Sequence, residues 1–325
     1  MTRSPRGRRA AWLAFAMLSV SQAASALPPE CPTFFPDFQC DREARYPGFV
    51  PPLTAPYLFE DPFITTGLSG WYLWHQFPGG SILDGGDIQI AALQARIAIT
   101  DRLAFIATKD GYAWYDPGLD IIDTTNGWFD IAAGFKYALV KIPEHNFILT
   151  PALRFEIPVG QKRVYSGFSD GIFIPSISAA WGIGDFHVIG SLGSQLPVDM
   201  GDQSTQFFYN LHLDYAVWEH FVPLVELNGY TYTNSGNGTL PVKTDLGELD
   251  LSTAQAVLGK PGEEGLDALN LGSQGVTGET VVTFAVGARI PITKHVGIGA
   301  AYEFPITNRE YLFNQRVTAN VLLEF

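Results

Sequence analysis

Twelve segments of the chain alternate between apolar and polar side chains, and the connections between them alternate between short and long. Such alternation places successive side chains on opposite faces of a β-strand. Every second connection is tight, as at Thr100-Asp101 and Glu219-His220, whereas the connections between these are long and either polar or rich in glycine. The segments lie near residues 64–77, 86–100, 102–111, 127–142, 146–159, 171–183, 185–198, 204–218, 220–233, 278–292, 294–305 and 310–325.

This pattern predicts an all-β fold, an antiparallel transmembrane β-barrel of twelve strands. Barrels of this kind have an even strand number, short turns on the periplasmic side and long loops outside. Only 16% of the residues are charged, against about 25% in a typical soluble domain. A soluble sandwich has the same period, but in residues 149–157 one face is bulky and apolar and the other carries Thr150, Arg154 and Glu156.

The first 26 residues have the pattern of a secretory signal peptide. Arginines precede an apolar stretch that ends at Ala24-Ser25-Ala26, a small-residue cleavage site. We expect cleavage after Ala26, export, and insertion into the outer membrane of a Gram-negative cell. The expected division is therefore a signal peptide (1–26), a proline-rich segment (27–62) and the barrel (63–325). The net charge of −13 argues against binding to nucleic acid.

The proline-rich segment contains the two cysteines of the chain, Cys31 and Cys40. In an oxidising periplasm, two nearby cysteines predict a disulfide; lipidation of Cys31 and a metal site are the weaker alternatives. Proline cannot donate to a sheet ladder, so the segment should not form a strand. Three positions stay open: beneath the barrel, inside it as a plug, or in solvent as a leader.

The inward face of the predicted barrel carries titratable side chains on most strands. A polar conduit that selects solutes would use such charges, and so would a network of ion pairs that fills a narrow interior. Both interpretations stay open. The residues that we expect to line the lumen or a pathway are Arg96, Asp130, Lys136, Arg154, Glu156, His212, Asp214, Glu226, Arg289, Glu303 and Arg316.

The long connection at 234–277 is acidic and contains one helical stretch. We expect a short helix with Ser252 at its N-cap and Gly259 at its end. The connection is either a lid over the mouth of the barrel or a solvated loop. It has no calcium-loop spacing, and we predict no metal site and no cofactor.

Aromatic residues near the predicted strand ends, namely Trp71, Trp74, Trp128, Trp181 and Trp218, suit the two membrane interfaces. The last strand alternates into Phe325. This ending resembles the assembly signal of bacterial outer-membrane proteins, in which the final aromatic residue is recognised by the barrel-assembly machinery. The expected partners are therefore that machinery, outer-membrane lipid and lipopolysaccharide, and a small solute, with the protein a monomer.

Short strand starts suggest a function. TDRLAFIA, DFHVIGSL and KHVGIGAA resemble strand-turn patterns of outer-membrane transporters grouped with the phenol-degradation meta-pathway, which implies a channel for small, hydrophobic or aromatic solutes. A closed structural or surface-interaction barrel is the alternative. A third is a lipolytic enzyme, because outer-membrane phospholipases resemble the chain in strand number. His187 and Ser191 depart from the spacing expected of that family, so we predict no catalytic residue.

Overall fold

The computed structural model describes residues 42–325 except 219, 246, 261–262 and 308–310. The predicted signal peptide, Cys31 and Cys40 lie outside the described residues. Among the described residues, no helix is long and apolar enough to cross a membrane.

Twelve antiparallel wall strands form a closed barrel, as the alternating segments predict. The barrel closes because β1 pairs with both β2 and β17. The third wall strand is β3 continued by β4, and the fourth is β5, β6 and β7 in succession. The strands are β1 (Gly67–Gln76), β2 (Gly86–Ala98), β3 (Leu103–Lys109), β4 (Tyr112–Pro117), β5 (Thr125–Trp128), β6 (Ile131–Tyr137), β7 (Val140–Ile142), β8 (Phe147–Ile157), β9 (Ile172–Ile183), β10 (Phe186–Pro197), β11 (Thr205–Tyr215), β12 (Val222–Asn234), β13 (Pro241–Thr244), β14 (Gly247–Asp250), β15 (Thr280–Pro291), β16 (Val296–Pro305) and β17 (Gln315–Glu324).

Short turns join the wall strands at one end, the turn end, and long connections join them at the other, the loop end. The β9–β10 turn has only two residues, and the first, Gly184, has a φ of 59°, which favours glycine. The predicted strand 102–111 was too short. After a break at Asp110 and Gly111 the wall continues through β4, and the Asp110 carboxylate accepts the hydrogen bond of the Leu93 amide.

Alternation separates an exposed outer face from a buried inner face. In β8, Leu153 is 54% exposed whereas Arg154 is fully buried. Trp128, Trp181 and Trp218 are also exposed. The interface expectation was wrong for Trp71, which is buried inside the barrel with its indole N–H donating to Gln94 Oε1 at 3.0 Å. Its ring belongs to a buried apolar cluster that also contains Leu53 and Leu73.

Among the described residues, two segments that are not wall strands occupy the lumen. Residues 42–66, here called the lumen segment, begin with the short helix α1 (Arg42–Arg45) and enter from the turn end. Residues 235–279, here called the lid, cover the loop end with β13, β14 and the helix α2 (Leu251–Leu258). Helix α2 ends at Gly259 as predicted, but Asp250 rather than Ser252 is its N-cap. Two short 3-10 helices, Pro143–His145 and Lys162–Val164, lie in connections.

Candidate functional site in the barrel lumen

The prolines of the lumen segment explain how an irregular chain can be held inside a barrel. A proline has no N–H to satisfy, so only its carbonyl needs a partner once it is buried. Donors on the barrel wall supply those partners: Arg289 Nε and Nη2 donate to the carbonyls of Pro51 (2.6 Å) and Pro52 (2.9 Å), Gln94 donates to Pro56 (2.8 Å), and Thr150 donates to Pro62 (2.7 Å).

Glu226 of β12 binds the tip of the lumen segment. Its carboxylate accepts the backbone N–H of Leu53 at 2.8 Å and that of Thr54 at 2.6 Å, and it also accepts the Thr54 hydroxyl. All three residues are buried. A buried carboxylate is costly unless its lone pairs are occupied, and here the main chain of the lumen segment occupies them.

Glu60 holds the return limb of the segment through two cations of the wall. Arg96 contacts both Glu60 oxygens, at 2.7 and 2.9 Å, and Lys136 Nζ contacts Oε1 at 2.7 Å. Lys136, of which only 1% is exposed, also reaches Asp61 Oδ1 at 3.2 Å. Two wall cations and two segment carboxylates therefore form one compact cluster.

A β-bulge adds another cation to the lumen. The register between β3 and β6 shifts between Ala107 and Lys109, so Thr108 and Lys109 are both buried although they are adjacent. Lys109 Nζ then contacts Glu156 Oε1 at 2.6 Å, and the second Glu156 oxygen accepts the Tyr57 hydroxyl. The bulge thus lets β3 contribute an ion pair that supports the lumen segment.

Charged and amide side chains of β10, β11, β12, β16 and β17, here called the polar wall, connect the lumen segment to both ends of the barrel. Toward the turn end, carboxylates and histidines alternate: His187 Nδ1 lies 2.7 Å from Asp214, His212 Nε2 lies 2.9 Å from Asp214, and His212 Nδ1 lies 2.6 Å from Glu226. Both ring nitrogens of His212 therefore lie within hydrogen-bond distance of a carboxylate.

Toward the loop end, the same wall leads to the lid. Asn228 donates to Thr54 Oγ1 at 2.8 Å and to Glu303 at 2.9 Å. Glu303 lies 3.6 Å from Arg316, which binds both oxygens of Asp267 in the lid at 2.8 and 3.0 Å. A continuous chain of polar contacts therefore joins the lumen segment to the lid.

Part of the lid also enters the lumen. Like the lumen segment, it is held there by wall side chains that donate hydrogen bonds to its main-chain carbonyls. Tyr232 donates to Gly265 O at 2.8 Å, and Gln206 donates to Leu266 O at 2.7 Å. Next to them, Glu264 is 1% exposed and accepts hydrogen bonds from the Ser204 hydroxyl and three backbone amides. Burial raises the pKa of Glu264 to about 7, although these donors favour its charged form.

Apolar side chains line the opposite side of the lumen. These residues, here called the apolar wall, belong to one buried cluster that extends from Leu53 at the tip of the lumen segment to the lid residues Leu240, Leu251 and Leu271. Neighbouring barrel strands contribute them, so the apolar surface follows β1, β2 and β4 along the lumen. The apolar wall consists of Trp71, Leu73, Phe77, Ile88, Ile90 and Tyr115.

Ten of the eleven residues expected to line the lumen are at least 96% buried; Arg96 is partly buried. Most belong to the contacts with the lumen segment and the lid. Arg154 donates to the carbonyls of Tyr57 and Leu58. Asp130 contacts a connection between wall strands instead: its carboxylate accepts hydrogen bonds from the backbone amides of Gly160 and Gly167 and so fixes the β8–β9 connection. Phe325 donates its N–H to Thr66 O at 2.8 Å, and its ring stacks on His295.

His187 and Ser191 both lie on the inner face of β10. Four residues along a strand separate their Cα atoms by roughly 13 Å, and the His187 ring packs on Phe49 of the lumen segment at 4.3 Å. A nucleophile and its base must lie within hydrogen-bond reach, so this geometry does not favour a catalytic pair. No group of three or more potential metal ligands occurs within the part of the chain that the structure describes.

Sequence reasoning missed Glu60, Tyr57 and Lys109. The first two lie in a segment without periodicity, and the third lies in a bulge that breaks the alternation. The prolines around Glu60 and Tyr57 were the available signal, since a buried proline needs wall donors for its carbonyl.

The barrel is similar to solved outer-membrane proteins. An outer-membrane channel from Pseudomonas putida F1 aligns with a TM-score of 0.51 at 15% identity, covering 85% of this chain and 100% of that one. The NanC porin aligns with a TM-score of 0.45 at 8% identity, and the alignment covers 80% of this chain and 98% of the porin. The outer-membrane phospholipase of Salmonella typhi aligns with a TM-score of 0.37 at 12% identity, and the alignment covers 81% of this chain and 91% of the phospholipase. No family model and no curated protein sequence matches the chain. At 15% identity the first alignment shows a shared fold, that of an outer-membrane β-barrel.

Proposed function

We propose that the protein is a channel of the Gram-negative outer membrane for small, neutral, apolar solutes, and that it rests in a closed state. One observation carries the proposal: segments inserted from the two ends help to fill the lumen, each held through side chain–backbone hydrogen bonds. In an eight-stranded barrel the wall side chains alone fill the interior. A twelve-stranded wall encloses more space, and non-covalently held segments can withdraw from it.

The solute class follows from the division of the lumen. The polar wall is occupied by contacts to the lumen segment and the lid, whereas the side chains of the apolar wall pack against each other, and the hydrogen bond of the Trp71 indole goes to Gln94, which is itself a wall residue. A neutral apolar solute can replace such packing without leaving a polar group unpaired. A charged solute would have to give up its hydration against the apolar wall, at a cost of several kcal/mol.

Planar-bilayer conductance tests the channel. The mature chain, starting at Leu27, should be silent or open rarely, and a version that starts at Phe63 should show discrete conductance. Liposomes with the truncated protein should take up naphthalene faster than an anionic analogue, 2-naphthoate. If the truncated barrel is folded but silent and impermeable, the protein is instead a closed structural barrel, and its acidic loops become the place to look for partners.

The proposal also includes the location of the protein, its partners and its oligomeric state. The exposed outer face would contact outer-membrane lipid and lipopolysaccharide, the terminal strand would be recognised by the barrel-assembly machinery, and the barrel would act as a monomer. We infer no catalytic role, which the separation of His187 and Ser191 supports.

A further inference from the structure

A cavity lies under the lid at the loop end. Its walls come from the lid strands, helix α2, the connections at 77–85 and 118–124, and the side chains of Tyr115, Tyr165 and Leu312. The free space between these side chains is about 650 Å³, including the part that opens to solvent.

The lining of this cavity excludes water. Among its described lining residues the polar groups are Thr244, whose hydroxyl donates to Gly247 O, and two tyrosines. The centre of a water molecule can reach about 50 Å³ of the space, several times the roughly 10–15 Å³ that one water needs. A void of this size without polar partners stays dry and favours an apolar occupant.

Aromatic rings give the cavity a shape preference. Phe77 and Tyr115 are 5.7 Å apart, and Tyr115 and Tyr165 are 5.2 Å apart, both pairs edge to face. A flat aromatic ring can add to such a series by edge-to-face or offset contacts. At the rim, Val257 of α2 is 74% exposed and Ile121 is 37% exposed, so the opening lies between α2 and the 118–124 connection.

We propose that this cavity binds a small neutral molecule with an aromatic ring. The inference deepens the proposed function and rests on it for the identity of the ligand as the transported solute. Phe77, Tyr115 and Leu312 line the cavity and belong to the same buried cluster as Leu53. The bound molecule therefore lies at the loop end of the apolar wall, on the route that the proposed solute would take.

Helix α2 offers a matched pair of variants. Ala254 is 6% exposed and lines the cavity, whereas Ala256, two residues further, is exposed and is not among the lining residues. Ala254→Phe should fill the space with a ring, and Ala256→Phe places the same ring outside. Val242→Phe fills the cavity from β13, so the test does not depend on one helix variant.

Fluorescence titration with 1-aminoanthracene, a neutral probe, measures binding to the mature protein in nanodiscs, with empty nanodiscs as background. We expect saturable one-to-one binding that naphthalene displaces and 2-naphthoate does not. Ala254→Phe and Val242→Phe should weaken it at least about tenfold, and Ala256→Phe should change it less than about twofold. Circular dichroism and heat-modifiable migration check that each variant is folded.

Absence of saturable binding, or equal affinity in both cavity-filling variants and the parent, would overturn the inference. Such a result leaves conductance of the version starting at Phe63 untouched, so a channel without this site is recognisable. Saturable binding with no conductance or uptake in any version would instead contradict the proposed function while the site stands.

Discussion

Replacing Glu60 with glutamine should release the lumen segment. The substitution keeps the shape of the side chain but removes the charge that Arg96 and Lys136 contact at 2.7 Å. Lys136 keeps Asp61 at 3.2 Å, whereas Arg96 loses its carboxylate. In the parent, Arg96 and Lys136 are balanced by Glu60 and Asp61; in the variant, Asp61 is the carboxylate of this cluster that remains.

The size of the effect follows from burial. Removing one partner of a buried ion pair costs roughly 3–5 kcal/mol, because the other charge stays desolvated. Since Asp61 still compensates part of the charge, we take the lower value, about 3 kcal/mol. With about 1.4 kcal/mol per factor of ten, the ratio of closed to open channels should fall by about 100-fold.

Single-channel recording measures this ratio as the open probability of the Glu60→Gln variant relative to the parent. Asp101→Asn is the matched control, because it breaks the Lys141–Asp101 pair at 2.9 Å in a turn outside the lumen. Its open probability should stay close to that of the parent. An unchanged open probability in folded Glu60→Gln would refute the reasoning, since the charge cluster would then not hold the segment.

Three further predictions concern the lid, its link to the lumen segment and the outer face. Burial raises the pKa of Glu264 from 4.5 to about 7, so the Glu264 carboxyl binds its proton more tightly in the closed lid than in an open lid. The closed state should therefore lose stability as the pH rises from about 5 to 8. Proteolysis of the lid should become faster with rising pH in the parent but not in Glu264→Gln. Asp267→Asn weakens the contact with Arg316, so hydrogen exchange should quicken at the Thr54 amide as well as in the lid; acceleration in the lid alone would exclude the link. Leu153→Arg places a charge on the exposed outer face and should lower barrel stability by about 2–4 kcal/mol, measured by urea unfolding in lipid vesicles.

The sequence predicted the wall far better than what the wall encloses. Alternation assigns Leu153 and Arg154 to opposite faces, because a strand has a period of two wherever one face is buried. The bulge at Lys109 breaks that period, so its inward position needed the structure. Glu60 lies in a segment with no period at all, and its position depends on contacts with strands far away in the chain. Trp71 and Trp74 lie three residues apart in one strand, so alternation places them on opposite faces, but it does not say which of the two rings faces the lumen.

The division of the lumen also bears on why an apolar solute would favour the open state. When the closing segments withdraw, Glu226 of the polar wall and Arg289 of β15 lose main-chain partners but gain water, so their exposure is partly compensated. The apolar wall around Leu73 and Ile90 has no such compensation, because exposing apolar surface to water costs roughly 25 cal/mol per Å². A neutral apolar solute that covers this surface removes part of that cost, and it does so only where the lumen is vacated. Such a solute therefore binds the open state better than the closed one, which is the condition for shifting the equilibrium.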